Sequence, residues 1–408
     1  MKLVQLANRL PWPPVDGGKK GILAFAESYA AAPEIDRYRL LCLCLPSEIK
    51  LCGTWRKASG IDVEAFPLDT DNTVYRFLRS TLFTRQPFNI SKYFYELLNY
   101  RFSETLCELN PDVIHFDGLQ TAPYISAARK CAPTALRVLR AHNAEHLILT
   151  RLRDREINPI KKRAIAIHAE RLRRYEADRL NDFDLIMAIT EADSELLRSL
   201  NPSIADRIVV VPAGVNDLPR LDDLKPLHDG KIRLLHLASM DWLPNLLGLK
   251  WFIATVVPLL DASGINYELV IAGKGMPPDL KNIKHPKINT IGFIDEISET
   301  IKGCHIGIVP IQVGGGMRIK ILDYWAHGLP IISTSVGAEG LDDGKNSHLL
   351  IANTPNEFFD SIAALISSPA TRNKLRQKAY NHVREKYFWP TIARGVIANY
   401  IQLMGHGS

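Results

Sequence analysis

The chain has 408 residues, of which 46% are hydrophobic and 23% are charged, and its formal net charge is +6. This length exceeds one ordinary domain and the composition excludes a disordered chain, so we expect two domains that each bury a core. The six cysteines include no C-x-x-C pair, and we expect buried thiols in a reducing, cytoplasmic compartment.

The ends and the charged segments bear on localisation. Residues 1–9 are interrupted by Asn8 and Arg9, and then by Pro11, before a signal-peptide core could form. No apolar run is expected to reach the length that spans a bilayer. Ten Lys/Arg face five Asp/Glu between Arg151 and Arg179. This run is either a solvated helix face or a surface that attracts anionic lipid or an anionic acceptor, which would place the protein peripherally at the inner face of the membrane. No nucleic-acid-binding signature accompanies it, so no nucleic acid partner is expected.

Short β-branched or leucine-rich runs alternate with helical patterns along the chain. A first series covers residues 2–7, 39–45, 112–116, 136–141, 184–189 and 207–211. A second series covers residues 232–238, 267–272, 288–291, 305–310, 330–333 and 348–351. This alternation predicts an α/β fold with two Rossmann-like domains of parallel strands that face each other across a cleft.

A polar, turn-rich stretch at residues 217–230 separates the two series and is predicted to be the interdomain linker. The first domain is then 1–216 and the second is 231–385. A helical pattern at the end of the chain is interrupted at Trp389 and Pro390, where proline should restart the helix. We expect the last segment, 386–408, to return to the first domain.

The most specific motif follows a strand of the second series and opens a helix. It begins with three successive glycines, Gly314, Gly315 and Gly316. Residues without side chains let backbone N–H groups approach an anion, and the helix start adds the positive end of its dipole. Arg318 and Lys320 add full positive charges, and Asp323 can hold a sugar hydroxyl. The motif therefore predicts a site for a nucleoside diphosphate that carries a ribose.

A second glycine-rich turn joins the first strand to the first helix. It contains Asp16, Gly17 and Gly18, and the helix is predicted over 22–31. The turn lacks the G-x-G-x-x-G pattern, and no acidic residue ends the second strand, which argues against an NAD-dependent oxidoreductase. It either binds a ligand or needs glycine only for its backbone geometry.

Several polar residues follow other predicted strands. His142 comes directly after a strand, with Asn143 and Glu145 beside it, and is either structural or a group that positions a polar ligand. His115 and Asp117 are weaker candidates of the same kind.

A glycine-flanked loop at 335–341 contains Gly337, Ala338 and Glu339, of which the glutamate is either functional or a helix N-terminal acid. The chain has no H-E-x-x-H, no paired Cys/His set and no G-x-S-x-G, so no metal site, zinc protease or serine hydrolase is expected.

At these residues the sequence resembles the retaining, nucleotide-sugar-dependent glycosyltransferases of GT-B fold, the group 1 or family 4 type. The resemblance covers nearly the whole chain and is most specific over residues 314–341. It implies transfer of a sugar from a nucleoside-diphosphate sugar, commonly a UDP-sugar, to a saccharide or lipid-linked acceptor in polysaccharide or glycan biosynthesis. It also implies retention of configuration, with no cofactor and no obligatory metal.

The resemblance assigns roles to residues of both domains. The second domain would bind the donor through the three glycines together with Met317, Asp323, Gly337, Ala338 and Glu339. The catalytic residues would be His142, Arg318 and Lys320. The first domain would hold the acceptor near Asp16, Gly17 and Gly18.

The chain departs from the family pattern at two places. The family often shows two glutamates separated by seven residues, and Gly315 and Asp323 occupy those positions, so a contact to the donor sugar is lost or moves to Glu339. The Arg and Lys that often follow the first strand of the second domain are absent from residues 238–245. Two alternatives stay open. A sugar-nucleotide 2-epimerase of GT-B fold would share the expected architecture and cleft, and the two departures leave open a catalytically silent sugar-nucleotide binder.

Overall fold

The computed structural model describes residues 1–14, 16–70, 87–221, 230–294, 297–313, 317–341 and 348–405. The chain forms two compact units, the first comprising Met1–Ala213 with Ile392–Ser408 and the second comprising Gly214–Thr391. The predicted glycine motif at 314–316 and most of the predicted linker, 222–229, lie outside the described residues.

The first unit is built on a parallel sheet. Its strands are β1 (Lys2–Ala7), β2 (Arg37–Cys44), β3 (Val63–Pro67), β4 (Val113–Asp117), β5 (Leu136–Ala141), β6 (Leu185–Ala188) and β7 (Ile208–Val210). They are ordered β3-β2-β1-β4-β5-β6-β7, with every neighbouring pair parallel. The order reverses between β1 and β4, and in such sheets ligands bind at the carboxyl ends of the strands beside that point.

Helices connect these strands, and the central strands are buried on both faces. The helices are α1 (Gly17–Ala31), α2 (Ile49–Ser59), α3 (Phe88–Ser91), α4 (Glu96–Leu109), α5 (Ile125–Cys131), α6 (Glu145–Arg155), α7 (Pro159–Arg179) and α8 (Glu191–Leu200). One face of the sheet packs its core around Phe102, Phe116 and Phe183, and the other packs around Ile22 and Trp55.

The second unit repeats this plan. Its strands are β8 (Ile232–Leu237), β9 (Tyr267–Ala272), β10 (Ile288–Gly292), β11 (Ile306–Val309), β12 (Ile331–Ser333) and β13 (Leu350–Ile351), in the order β10-β9-β8-β11-β12-β13. Its helices are α9 (Leu243–Thr255), α10 (Val257–Ala262), α11 (Pro278–Lys281), α12 (Ile297–Lys302), α13 (Ile319–Ala326), α14 (Pro355–Ser367) and α15 (Pro369–Lys386), followed by α16 (Trp389–Gly405). All neighbouring strand pairs are parallel. The prediction of two doubly wound α/β domains is confirmed.

The helix α1 begins at Gly17, five residues before the predicted helix. The side chain of Asp16 accepts a hydrogen bond from the N–H of Lys19 at 3.0 Å and so caps the helix. A Cβ atom at Gly18 would lie 1.8 Å from Nη2 of Arg9. Glycine at position 18 therefore makes room for Arg9, whose guanidinium lies 3.2 Å from the Asp16 carboxylate.

From Ile392 onward, the last helix α16 belongs to the first unit. The helical pattern breaks between Lys386 and Trp389, where the N–H of Trp389 donates to the carbonyl oxygen of Val215 at 3.1 Å. Further along α16, Tyr400 is fully buried and its hydroxyl lies 2.9 Å from that of Tyr29. This contact fixes the last helix against the body of the first unit.

One prediction about apolar segments is wrong. Within the described residues the helical stretch Leu243–Ala262 is long and apolar enough to cross a membrane by length and composition. In the fold it is divided into α9 and α10, and its residues Leu249, Phe252 and Leu260 are buried in the core of the second unit. Its apolar character follows from packing against the sheet.

Candidate functional site

Arg318 and Lys320 lie at the start of α13, which follows β11 in the second unit. Arg318 is only 5% exposed, and its guanidinium lies 5.0 Å from the ring centroid of Trp242. Its Nη2 also donates to the carbonyl oxygen of Val336 at 3.5 Å. The planar cation is therefore held between an aromatic ring and the loop after β12, which favours one orientation of its donors.

Lys320 is held by a chain of amide contacts. Its Nζ donates to Oδ1 of Asn245 at 2.7 Å, and Nδ2 of Asn245 donates to the carbonyl oxygen of Ser239 at 2.8 Å. Within the part of the chain that the structure describes, no carboxylate pairs with Lys320. Burial, and then the charge of Arg318, lower the pKa of Lys320 to about 7. A bound anion would therefore give Lys320 the negatively charged partner that its neutral contact with Asn245 does not provide.

His236, a buried residue near Lys320, adds no further positive charge. His236 lies in β8, is fully buried, and has Nδ1 3.3 Å from the carbonyl oxygen of Ile308. Burial, and then the charge of Lys320, lower the pKa of His236 to about 3. The histidine is neutral at physiological pH, so the positive charge of the region comes from the two residues at the start of α13.

The loop after β12 contains three more of the residues predicted to bind the sugar donor, namely Gly337, Ala338 and Glu339. The N–H of Gly337 donates to Oγ1 of Thr334 at 2.9 Å, and the N–H of Ala338 donates to the Thr334 carbonyl at 3.0 Å. These two N–H groups are used within the turn. Glu339 is exposed, while Met317 packs against the core of the unit.

Asp323 lies inside α13, where its backbone carbonyl accepts from the N–H of His327 at 3.2 Å. The structure brings Arg318 close to the loop after β12, and the three glycines that precede Met317 lie outside the described residues. The donor roles of these residues stay predictions.

The first unit contains a pocket of about 370 Å³ beside the carboxyl ends of its strands. Its polar lining includes Asn8, Arg9, Lys19, Gln120, His142 and Glu145. Tyr93 and leucines supply an apolar wall. Asn8 directly follows β1, and Gln120 lies three residues after β4, so the pocket sits at the point where the strand order reverses.

His142 is oriented by a buried carboxylate beneath the pocket. Asp117 is fully buried, contacts Nε2 of His142, and accepts from Nε2 of Gln5 at 2.8 Å and from Nη1 of Arg140 at 3.3 Å. Burial alone would raise the pKa of Asp117, but Arg140 and His142 outweigh it and hold that pKa well below its usual value. Since the carboxylate only accepts, Nε2 of His142 donates, and Nδ1 of a neutral ring is left as an acceptor.

The pKa of His142 is lowered by its burial, more than the bond to Asp117 raises it. A neutral imidazole held by a carboxylate can accept a hydrogen bond from a hydroxyl group. The prediction that His142 can position a polar ligand therefore has a geometric basis, although its catalytic role stays a prediction.

Glu145 is a second ionisable group in this pocket. It is 9% exposed, and burial, followed by the nearby charge of Glu176, raises its pKa to about 7. Glu176 accepts from the backbone N–H groups of Glu145 at 3.0 Å and His146 at 3.2 Å, and thereby caps the start of α6. A carboxyl group that is partly protonated near neutral pH can both donate to and accept from a hydroxylated ligand.

The cations of the pocket are each paired with an acid. Nζ of Lys19 lies 2.7 Å from Glu48, and Arg9 lies 3.2 Å from Asp16. These pairs leave little net charge, which suits a neutral polyhydroxylated group better than a phosphate.

Sequence patterns found only part of this site. His142 and Glu145 were recognised because they follow a strand. Asp16 does not line the pocket but pairs with Arg9, which does. Gln120 was missed, although its place just after β4 is a usable signal. Gly17 and Gly18 belong to the first turn of α1 and do not line the pocket.

Comparison with known families gives a match within the second unit. Residues 231–368 match the model of the family Glycosyl transferases group 1. Over these residues the chain is similar to the group 1 glycosyl transferases. The matched segment contains the two cations at the start of α13 and the loop after β12.

The chain is also similar to one sequence relative over part of its length and to solved structures in its fold. An uncharacterized 44.6 kDa protein in the cps region of Klebsiella pneumoniae is 28% identical over 152 residues, which are 35% of this chain and 39% of that relative. The fold is similar to sucrose-phosphate synthase from Thermosynechococcus elongatus, with a TM-score of 0.67, 14% identity and coverage of 100% of both chains. It is also similar to Anabaena HepE in complex with UDP, with a TM-score of 0.66, 14% identity and coverage of 98% of this chain and 100% of that one. The fold is GT-B.

Proposed function

We propose that the chain transfers a sugar from a nucleoside-diphosphate sugar to a hydroxyl group of an acceptor, with retention of anomeric configuration. The observation that carries this proposal is the placement of Arg318 and Lys320 at the start of α13, within the segment that matches the group 1 glycosyl transferases. As the anomeric bond breaks, the departing diphosphate gains negative charge. Cations that are already in position stabilise that charge without reorganisation.

The two cations would act differently on the diphosphate. The guanidinium of Arg318, oriented by Trp242, would bind two oxygens at once, whereas Lys320 would supply a compact charge. Because these side chains supply positive charge, we propose that no metal is obligatory. Asp323 would accept from the ribose hydroxyls, and UDP is the proposed nucleotide because HepE, which has the same fold, was solved with UDP.

The acceptor would bind in the pocket of the first unit. Its balanced ion pairs and its hydrogen-bonding side chains, among them His142 and Glu145, suit a saccharide, either free or lipid-linked. The relative from a cps region supports a role in polysaccharide biosynthesis. We propose a cytoplasmic location, because six free cysteines suit a reducing compartment.

The family match favours transfer over the two alternatives. A nucleotide-sugar 2-epimerase would interconvert the donor without releasing nucleoside diphosphate, and a silent binder would bind the donor without turnover. Release of nucleoside diphosphate from a panel of nucleotide sugars, with and without added saccharide acceptors, separates the three activities.

The test compares two arginine variants of the second unit. Arg318→Ala should reduce diphosphate release by about 100-fold or more, as expected when a preorganised group on a developing anion is removed. Arg233→Ala is the matched control, because Arg233 lies at the amino end of β8 and pairs with Glu268 at 3.1 Å. Equal loss in both variants, or interconversion of the donor without release, would overturn the proposal.

A further inference from the structure

The hairpin of α6 and α7 in the first unit exposes large apolar side chains at its tip, defined here as residues 148–167. The exposed fractions are 48% for Ile148, 51% for Leu152, 94% for Ile157, 81% for Ile160 and 41% for Ile167. Single exposed apolar residues are common, but a group of them within twenty residues marks an interaction surface.

The two ends of α7 differ in burial. The buried residues of α7 are His168, Ala169, Leu172 and Glu176, all from its tenth residue onward. None of the residues 159–167 is buried. The hairpin is therefore anchored through the second half of α7, whereas its tip lies outside the core of the unit.

The tip is also strongly basic. Residues 151–163 contain six Lys/Arg and two Asp/Glu, a formal charge of +4. Arg151, Lys161, Lys162 and Arg163 are exposed, and no ion pair in the described part of the chain involves them. Within the tip, Asp154 pairs with Arg153 at 2.7 Å, whereas Glu170, which pairs with Arg173 at 2.8 Å, lies beyond it. The positive charge of the tip is thus largely uncompensated.

We propose that the hairpin tip docks onto an anionic lipid bilayer, with Ile157 and Ile160 entering the boundary between headgroups and acyl chains. Lys161 and Lys162 would then lie at the level of the lipid phosphates. Apolar burial and attraction to anionic lipid act together in such interfacial contacts, and either one alone gives weak binding. The charges would also attract a soluble polyanion, but a polyanion would not explain the exposed isoleucines.

This proposal is independent of the transfer reaction. It assigns the membrane contact to the first half of the basic run 151–179, because Arg173 and Arg174 pair with Glu170 and Arg179 pairs with Asp182. A membrane contact here would bring the first unit to a surface where a lipid-linked saccharide is anchored.

The experiment is flotation of the full chain with two kinds of vesicle. One kind is pure phosphatidylcholine, and the other contains phosphatidylcholine and phosphatidylglycerol in equal parts. We expect the protein to float with the anionic vesicles and not with the neutral ones, and we expect salt to weaken the binding because it screens the basic side chains.

Two double variants separate the contribution of the exposed isoleucines to vesicle binding from that of the lysines. Ile157→Ser with Ile160→Ser should reduce partitioning into anionic vesicles by about tenfold or more, because two exposed aliphatic side chains would no longer be buried. Lys161→Glu with Lys162→Glu should reduce it by a similar factor, about tenfold. Lys50→Glu with Lys57→Glu in α2 is the matched control, because it makes the same charge change at exposed residues elsewhere in the unit. The control should bind like the unchanged chain.

Three results would overturn the proposal. The first is a lack of flotation with anionic vesicles, and the second is equal weakening by the tip variants and by the α2 control. The third is vesicle-free self-association, seen by sedimentation, that the isoleucine variant abolishes, since a second copy would then cover the tip. UDP binding by the second unit should be unchanged in all variants, so failure of membrane docking and failure of the transferase proposal are distinguishable.

Discussion

Lys320 is a cation in surroundings that disfavour its charge. Its amine is bonded to Asn245 at 2.7 Å and faces the charge of Arg318, and its pKa is about 7. An ordinary lysine has a pKa of about 10.4, so keeping Lys320 charged at this position costs the folded state free energy. Strongly shifted groups of this kind concentrate at functional sites, where a ligand removes the cost.

The first prediction concerns the pH dependence of donor binding. The pKa of Lys320 in the empty site is about 7, and a bound diphosphate raises it. The affinity for UDP-glucose should therefore be constant below about pH 7 and should fall above it, by up to about tenfold per pH unit, until the pKa of the bound state is reached.

Calorimetric titration of UDP-glucose at a series of pH values measures this effect. Lys320→Arg is the matched variant, because a guanidinium stays charged throughout this range. Its profile should be flat where that of the unchanged chain falls. Identical profiles for the two proteins would assign the pH dependence to another group.

The residues of the site differ in how far sequence could reveal them. Arg318 and Lys320 were found because they follow glycines at a strand-to-helix junction. Trp242 and Asn245 orient them from another part of the chain. Asp117 was only a weak candidate, because its importance comes from partners on three other strands or loops that sequence spacing does not bring together.

At the scale of elements, α1 packs closely against the sheet of the first unit at Gly21. A Cβ atom at Gly21 would lie 2.4 Å from Nη2 of Arg140, the residue that pairs with Asp117. The helix therefore approaches a buried ion pair so closely that only glycine fits. This constraint comes from tertiary packing, so it cannot be recognised from the helical periodicity of the sequence.

The second prediction follows from this contact. Gly21→Ala should destabilise the first unit by about 1–3 kcal/mol, because the added methyl group displaces a buried guanidinium. Gly53→Ala is the control, since Gly53 lies in α2 with nothing within 4 Å of its Cβ position. The control should stabilise by up to about 1 kcal/mol through helix propensity.

Thermal or urea unfolding of the two variants measures the difference. The change in the free energy of unfolding should have opposite signs for the two Gly→Ala substitutions, although both lie in helices of the same unit. A stabilising effect of Gly21→Ala would show that Arg140 moves away freely and that its pair with Asp117 contributes little.

The elements themselves were largely predictable. Every predicted strand run coincides with an observed strand, because buried parallel strands leave continuous apolar runs in the sequence. The strand β3 was missed. It lies at the edge of the sheet, and only Val63 and Phe66 in it are buried, so its sequence carries little of that signal.

At the scale of the whole molecule, the chain crosses between units twice. The boundaries fall after Ala213 and after Thr391, while the sequence placed the linker at 217–230. Residues that follow the first boundary pack onto the second unit, where the hydroxyl of Tyr380 donates to the carbonyl of Pro219 at 2.8 Å. A polar, turn-rich composition marks a surface segment, and such a segment is not always the hinge between domains.

The central claim is that the second unit binds a nucleoside diphosphate through Arg318, and scanning calorimetry with UDP tests it most directly. Two units with separate cores are expected to give separable transitions, and Gly21→Ala identifies that of the first unit by lowering it. UDP at about 100 times its Kd should stabilise the second unit by about 2.7 kcal/mol, raise only its transition, and have no such effect on Arg318→Ala. An unchanged second transition, or a shift produced by NAD and not by UDP, would contradict the account.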